Sequence, residues 1–272
     1  MAADLHSVVE VTEKLLSPAA PQVLDLVGSR DFELDALRRA VELDPVLTVK
    51  IMDYANHSFY ARRVPVASLH RALVRLGWET SCEILMRLVM EMAASKADKV
   101  IGQQIWEHSL KVAVLARVMA RASRSVDPAM VYTAGLVHGI GQLGLLSLMR
   151  DRYSRLFIKT GPGPQLAHAE RKQFGFDHAR VGAGVLSRMS LPETIPGAIL
   201  RMYRANLTER PWEHHPELPV AALLQLAQFL LHRDAARLDD PEWLSRQRLA
   251  EKLAIDDIGD RYRHALNAAI TG

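Results

Sequence analysis

Three histidines, His108, His138 and His178, stand among apolar residues at helical spacing, where an imidazole can ligate a metal, carry a proton or bond within a core. His108 shares a stripe with Val112, Leu115 and Met119, in steps of four, three and four, and so points inward. His138 opens the run His138-Gly139-Ile140-Gly141-Gln142-Leu143-Gly144, inside an apolar stretch over residues 129–149. Two apolar helices converging on His108 and His138 bring two imidazoles together, as a metal site requires. A hydrogen-bonded core histidine satisfies the same pattern, and both readings stand at this point.

Other chemistry-bearing residues have plainer readings. Cys82, in Ser81-Cys82-Glu83, reads as a small apolar filler on a helix rather than a nucleophile. Trp106 reads as a packing residue, with stacking on a base as the alternative. His214-His215 falls in a proline-rich stretch and reads as solvated. Gly139, Gly141 and Gly144 follow no strand, so neither a dinucleotide fingerprint nor a P-loop applies, and their expected role is close helix packing or a helix end. Arg117, Arg121 and Arg124 share one helix face, which reads as solvated rather than phosphate-binding. Arg38-Arg39, Arg62-Arg63, Arg201/Arg204 and Arg261/Arg263 are similarly modest clusters.

The elements that must position these residues read as helices throughout. Hydrophobic residues are 49% of the 272 and charged residues 24%, values of a folded globular chain, and Leu and Ala recur while aromatics are only 6%. No period-2 run bounded by turn residues suggests a strand. Asp44-Pro45, Asp127-Pro128 and Asp240-Pro241 are expected helix starts, because Asp accepts the orphan N–H groups and proline lacks one. Leu191-Pro192-Glu193 and Pro216-Glu217 are weaker starts. Thr160-Gly161-Pro162-Gly163-Pro164 is a loop, and Pro211, Pro216 and Pro219 mark a second over residues 209–219. A first lobe, residues 19–97, has expected helices at 34–42, 45–56, 68–76 and 79–93, and a second lobe follows from residue 98. The single cysteine suggests a reducing compartment, the net charge of +3 gives no case for nucleic acid, and no helix-turn-helix signature supports DNA binding. The N-terminus lacks a signal-peptide pattern, and no run approaches the roughly 18 apolar residues of a membrane span.

An ordered series of short motifs carries a family likeness. Pro21-Gln22-Val23, Asp44-Pro45-Val46-Leu47-Thr48, Asn56-His57-Ser58-Phe59-Tyr60, Ala72 and Leu76-Gly77 come first. Trp106-Glu107-His108-Ser109, Gly135-Leu136-Val137-His138, Gly175-Phe176-Asp177-His178-Ala179 and Leu191-Pro192-Glu193 continue it. Over residues 19–203 the series resembles the HDOD (HD-related output domain) family, a branch of the HD/HD-GYP phosphohydrolase superfamily. The resemblance implies an all-α, two-lobe HDOD architecture over residues 19–215, divided at 97/98. A C-terminal helical extension, 216–272, is expected to pack on the HD-like lobe.

Departures from the pattern shape the functional expectation. His138-Gly139 stands where the superfamily has a His-Asp pair, Met202-Tyr203 where relatives often carry His-His, Gln228 where an Asp is usual, and Gln142 where a lysine often follows. Hard divalent ions need carboxylates, and Asp177 and Glu107 precede histidines and should face away from them. Three neutral imidazoles could hold one Zn²⁺ or Ni²⁺, but the expectation is no metal, no cofactor and no catalytic residue. His108, His138, Gly139, His178, Met202, Tyr203 and Gln228 are expected to line a neutral-to-basic pocket for a small anionic or nucleotide ligand, unless Met202 and Tyr203 fill it. The expected role is a non-catalytic, regulatory signal-transduction module of the bacterial cytoplasm. It would act through signalling proteins in trans, of two-component or cyclic-nucleotide type, because no receiver, GGDEF or EAL-like segment is attached. A residual metal-dependent phosphohydrolase acting on nucleotides or cyclic dinucleotides is the alternative.

Overall fold

The computed structural model describes residues 4–28, 33–57, 65–123, 126–189, 191–204, 207 and 214–231. These form thirteen helices and, among the described residues, no strand. The first is α1 (Leu5–Leu15), followed by α2 (Ala20–Gly28), α3 (Leu34–Val41), α4 (Pro45–Asn56), α5 (Leu69–Leu76) and α6 (Trp78–Ala97). Then come α7 (Ile101–Ser123), α8 (Pro128–Val137), α9 (Ile140–Thr160), α10 (Pro164–Phe174), α11 (His178–Leu186), α12 (Thr194–Arg201) and α13 (Glu217–Leu231).

The Asp-Pro pairs do what their chemistry requires. Asp44 Oδ1 accepts from the N–H groups of Val46 (2.9 Å) and Leu47 (3.2 Å), and Asp127 Oδ1 from Ala129 (2.9 Å), with proline opening each helix. Asp44 is buried and its other oxygen accepts from Ser17 Oγ at 2.5 Å, which ties the start of α4 to the α1–α2 link. Asp240-Pro241 lies outside the described residues. The Gly-Pro loop ends α9 at Gly161 (φ 68°) and starts α10 after Gly163 (φ 114°), both in backbone regions that favour glycine. Pro219 is a correction: it sits in the first turn of α13, where its missing N–H would have had no partner, so it does not extend the loop.

α6 is the seam between the lobes. α2, α4 and α5 pack on one side of it and α7, α8 and α9 on the other. The second lobe is a tighter stack, with α7 against α8, α9 against α11, and α12 against α11 and α13. α1, which the sequence series leaves out, belongs to this stack: it lies on α9 and α11, and a Cβ on Gly144 of α9 would strike Thr12 Oγ1 of α1. α13 is buried along most of its length and packs on α7, α8 and α12, as far as Leu231. Residues 232–272 of the expected extension lie outside the described residues. One segment, α8–α9 (Pro128–Thr160), is long and apolar enough to cross a bilayer, yet 89% of its apolar window is buried within the protein, as in a core helix.

Candidate functional site

Six helices and one helix end converge on the histidines. α7 supplies His108, α8 ends at His138, α9 brings Gln142, α10 brings Glu170, α11 begins with His178, Met202 and Tyr203 follow α12, and α13 brings Gln228. The α8–α9 junction is only two residues long, His138 and Gly139, and its narrowness has a cause. A Cβ at 139 would lie 2.5 Å from Ser109 Oγ and 3.1 Å from Ile105 Cγ2 of α7. Two residues on, a Cβ at Gly141 would run into the carbonyl oxygen of His178, so α9 and α11 touch backbone to backbone there. The expected packing role of these glycines is what the structure shows.

His108 and His138 meet edge to face, with ring centroids 5.5 Å apart. His138 is fully buried; its Nδ1–H donates to the Gly135 carbonyl at 2.6 Å, and Nε2 has no hydrogen-bond partner. Burial pushes its pKa down to about 4, helped by nearby His178, so the ring is neutral around pH 7.

His178 is equally buried and wired quite differently. Its Nδ1–H donates to Glu170 Oε2 at 2.6 Å, and its backbone N–H donates to the same oxygen at 2.7 Å. The other oxygen of Glu170 accepts from Tyr153 Oη at 2.6 Å. On the far side of the ring, Nε2 accepts from Tyr203 Oη at 2.9 Å and from Gln142 Nε2 at 3.2 Å. Burial, reinforced by the Glu170 charge, holds both phenols well above their ordinary pKa, which keeps each a donor. Met202 is fully buried and takes a contact from Gln228 Nε2 at 3.8 Å on its sulfur; Gln228 Oε1 has no partner. The seven expected residues therefore share one region, in which Met202 is fully buried and Tyr203 is bonded to His178.

Glu170, Tyr153 and Ser109 were not anticipated. The sequence reading placed no acid near the histidines, and a fully buried one is present. A signal existed: Leu166, Ala167 and Glu170 recur at helical spacing on α10 and are its buried residues. Asp177 and Glu107 do face away, Asp177 capping α11 through Arg180 N (2.9 Å) and Glu107 exposed. Arg117 is another correction. It is not solvated but pairs with Glu83 at 2.7 Å and lies 4.2 Å over the Tyr132 ring, beside a pocket of about 480 Å³ that Cys82 also lines. Arg124, Arg62, Arg63, Arg261 and Arg263 lie outside the described residues.

The supports of a metal site are present while its ligands are not. His138 and His178 each anchor Nδ1 and leave Nε2 on the opposite side of the ring, as metal-bound histidines do. Yet Glu170 spends its oxygens behind His178, Nε2 of His178 is taken by two donors, and no carboxylate faces Nε2 of His138. Among the described residues, no group of three His, Cys, Asp or Glu side chains could hold a metal ion. The donor set does not suit a hard divalent ion.

The HDOD domain family matches residues 15–205, well over half of the chain. The chain belongs to the HDOD family. Among solved structures, it is similar to an HDOD domain protein with unknown function from Geobacter sulfurreducens, at 19% identity and TM-score 0.66, covering 98% of this chain and 96% of that one. A "Putative signal transduction protein" from Marinobacter aquaeolei VT8 matches with 21% identity and TM-score 0.71; the match covers 98% of this chain but 62% of that one. A "Putative phosphohydrolase" from Shewanella amazonensis SB2B matches at 19% identity and TM-score 0.64, covering 98% and 95%. These likenesses bear on the HDOD fold. No curated protein matches the chain.

Proposed function

We propose that this HDOD protein is a non-catalytic signal-transduction output module. In this reading it works in the cytoplasm through contacts with signalling proteins in trans, of two-component or cyclic-nucleotide type, and senses a small anionic ligand. HDOD membership supports the signalling role. The observation that carries the non-catalytic half is the wiring of His178: a ring nitrogen holding hydrogen bonds from Tyr203 and Gln142 has no lone pair left for a metal. A hydrolytic two-metal centre also needs bridging carboxylates to hold its ions about 4 Å apart, and Glu170, the buried acid beside the histidines, is committed elsewhere.

A residual phosphohydrolase is the second reading, favoured by one feature, the unpartnered inward Nε2 of His138. The two separate in an assay of phosphomonoesters and cyclic dinucleotides with Mn²⁺, Mg²⁺ or Zn²⁺ added to the purified full chain. The proposal expects turnover no greater than that of a His138→Ala/His178→Ala variant, and protein that purifies without stoichiometric metal. Metal-dependent turnover that the variant lacks would favour the hydrolase. Capture from native lysate, with the bound proteins identified, tests the partner half, and recovery of no signalling protein would overturn it.

A further inference from the structure

The neutral ring of His138 and the Glu170 carboxylate behind His178 suit the histidine region poorly to an anion, whereas the outer side of Tyr203 is a cationic pocket. There the α10–α11 turn and the end of α12 enclose a pocket of about 310 Å³. Arg171, Arg180 and Arg204 line it, together with Phe176, Asp177 and Tyr203. Arg171 is ion-paired to Asp177. Arg180 and Arg204 are exposed, and among the described residues neither has a carboxylate partner. Three guanidinium groups against one carboxylate leave two positive charges in excess. Guanidinium forks match phosphate oxygens in pairs, and a phosphomonoester carries close to two negative charges near pH 7. Asp177 already caps α11, so the pocket draws on side-chain charge and not on a free helix end. Its volume is at the small end of the roughly 300–1,000 Å³ range of ligand sites, which suits a phosphomonoester of up to about nucleotide size and disfavours anything as large as a dinucleotide.

The geometry points to a binding site here for a phosphomonoester of about nucleotide size, held by Arg180 and Arg204 with Arg171 behind them. The site lies one side chain away from the buried network, because Tyr203 forms its wall and donates to His178. It also reaches α13, since Gln225 Nε2 donates to the backbone carbonyls of Met202 (3.0 Å) and Arg204 (3.2 Å). A ligand there contacts the residues that lock α11, α12 and α13 together. The inference rests on the ligand-sensing part of the reading above and moves the ligand from the histidines to the arginines.

The test is calorimetric titration of the purified full chain with inorganic phosphate, a nucleoside 5′-monophosphate, the uncharged nucleoside and a cyclic dinucleotide. The monophosphate is expected to bind, the nucleoside not, and the cyclic dinucleotide, whose two diesters each carry a single charge and which exceeds the pocket in size, more weakly than the monoester. Arg180→Ala/Arg204→Ala should weaken monophosphate binding roughly tenfold or more. Arg155→Ala, on the exposed face of α9, should leave it unchanged. Tyr203→Phe, which keeps the pocket wall, should change affinity by less than about threefold, within the energy of one neutral hydrogen bond. Failure of the monophosphate to bind below about 5 mM, full binding by the double variant, an equal loss in Arg155→Ala, or tighter binding of the diester would each overturn the assignment. Partner capture and turnover are read separately, so a failed titration leaves the output-module reading to its own assays.

Discussion

His138 and His178 make a controlled pair: the same side chain, both fully buried, both anchored through Nδ1, a few residues from the same helix contact. One has a carbonyl behind it and nothing in front; the other has a carboxylate behind and two donors in front. Burial alone therefore does not decide what a core histidine costs or contributes. Its partners do, because an unmade buried hydrogen bond costs about 1–3 kcal/mol while a made one contributes about 1 kcal/mol.

The sharpest way to break the comparison is to make His178 resemble His138. Glu170→Ala leaves three buried donors without an acceptor, Tyr153 Oη and both N–H groups of His178. A loss on the order of 4 kcal/mol is expected in urea unfolding, because an uncompensated buried network costs most when its charge centre goes. A loss within about 1 kcal/mol would show that the network is loosely held.

The acid response of His138 comes next in size. Its folded pKa, about 4, lies below the ordinary value of 6.5. Between those values the unfolded chain binds more protons than the folded one, so acidification favours unfolding. The contribution is intact above about pH 6.5 and falls by on the order of 3 kcal/mol as pH drops to about 4. His138→Asn keeps a donor for the Gly135 carbonyl but removes the titration. The variant's stability should be flatter over that range, and an unchanged slope would assign the acid response to other groups.

Returning the acid to position 139 is a smaller perturbation with a clear sign. Gly139→Asp pushes its Cβ against Ser109 Oγ, which must give up its 2.9 Å bond to the Ile105 carbonyl, and it buries a carboxyl without a partner. The expected loss is about 2 kcal/mol. Mn²⁺ should not restore it, since His178 still lacks a free nitrogen. Adding Ser109→Ala should recover part of the loss, and a midpoint that rises with Mn²⁺ would contradict the wiring argument. Smallest is Tyr203→Phe, which removes one donor from His178 Nε2 and is expected to cost about 1 kcal/mol in the same unfolding measurement.

The helical plan was largely legible because its punctuation is local. Asp44-Pro45, Asp127-Pro128 and the Gly-Pro loop act within one turn of themselves, and the expected helix at 45–56 matches α4. The inward placement of His108 followed from a stripe that is buried throughout. What escaped was set by tertiary pairing. Glu170 reads as one of several charges in Glu170-Arg171-Lys172; its spacing from Leu166 and Ala167 hints at an inward face, but only the approach of α10 to α11 shows what it meets there while Arg171 and Lys172 are exposed. The fate of Gly139 depended on Ser109, thirty residues away on another helix, a distance no local pattern spans. Arg117 misled for the same reason, since its face is defined by Glu83 and Tyr132 and not by the arginines beside it.

Cys82 gives the chain a built-in probe. It is the single cysteine of the sequence, sits in α6 at the seam between the lobes, and is 7% exposed, with burial pushing its thiol up to about 12. Alkylation proceeds through the thiolate, so the native thiol should react slowly at neutral pH and quickly once α6 separates from its neighbours. Labelling rate then becomes a clock for the opening of this seam, read on the natural chain with no engineered tag, and any ligand or partner that tightens the lobes will slow it.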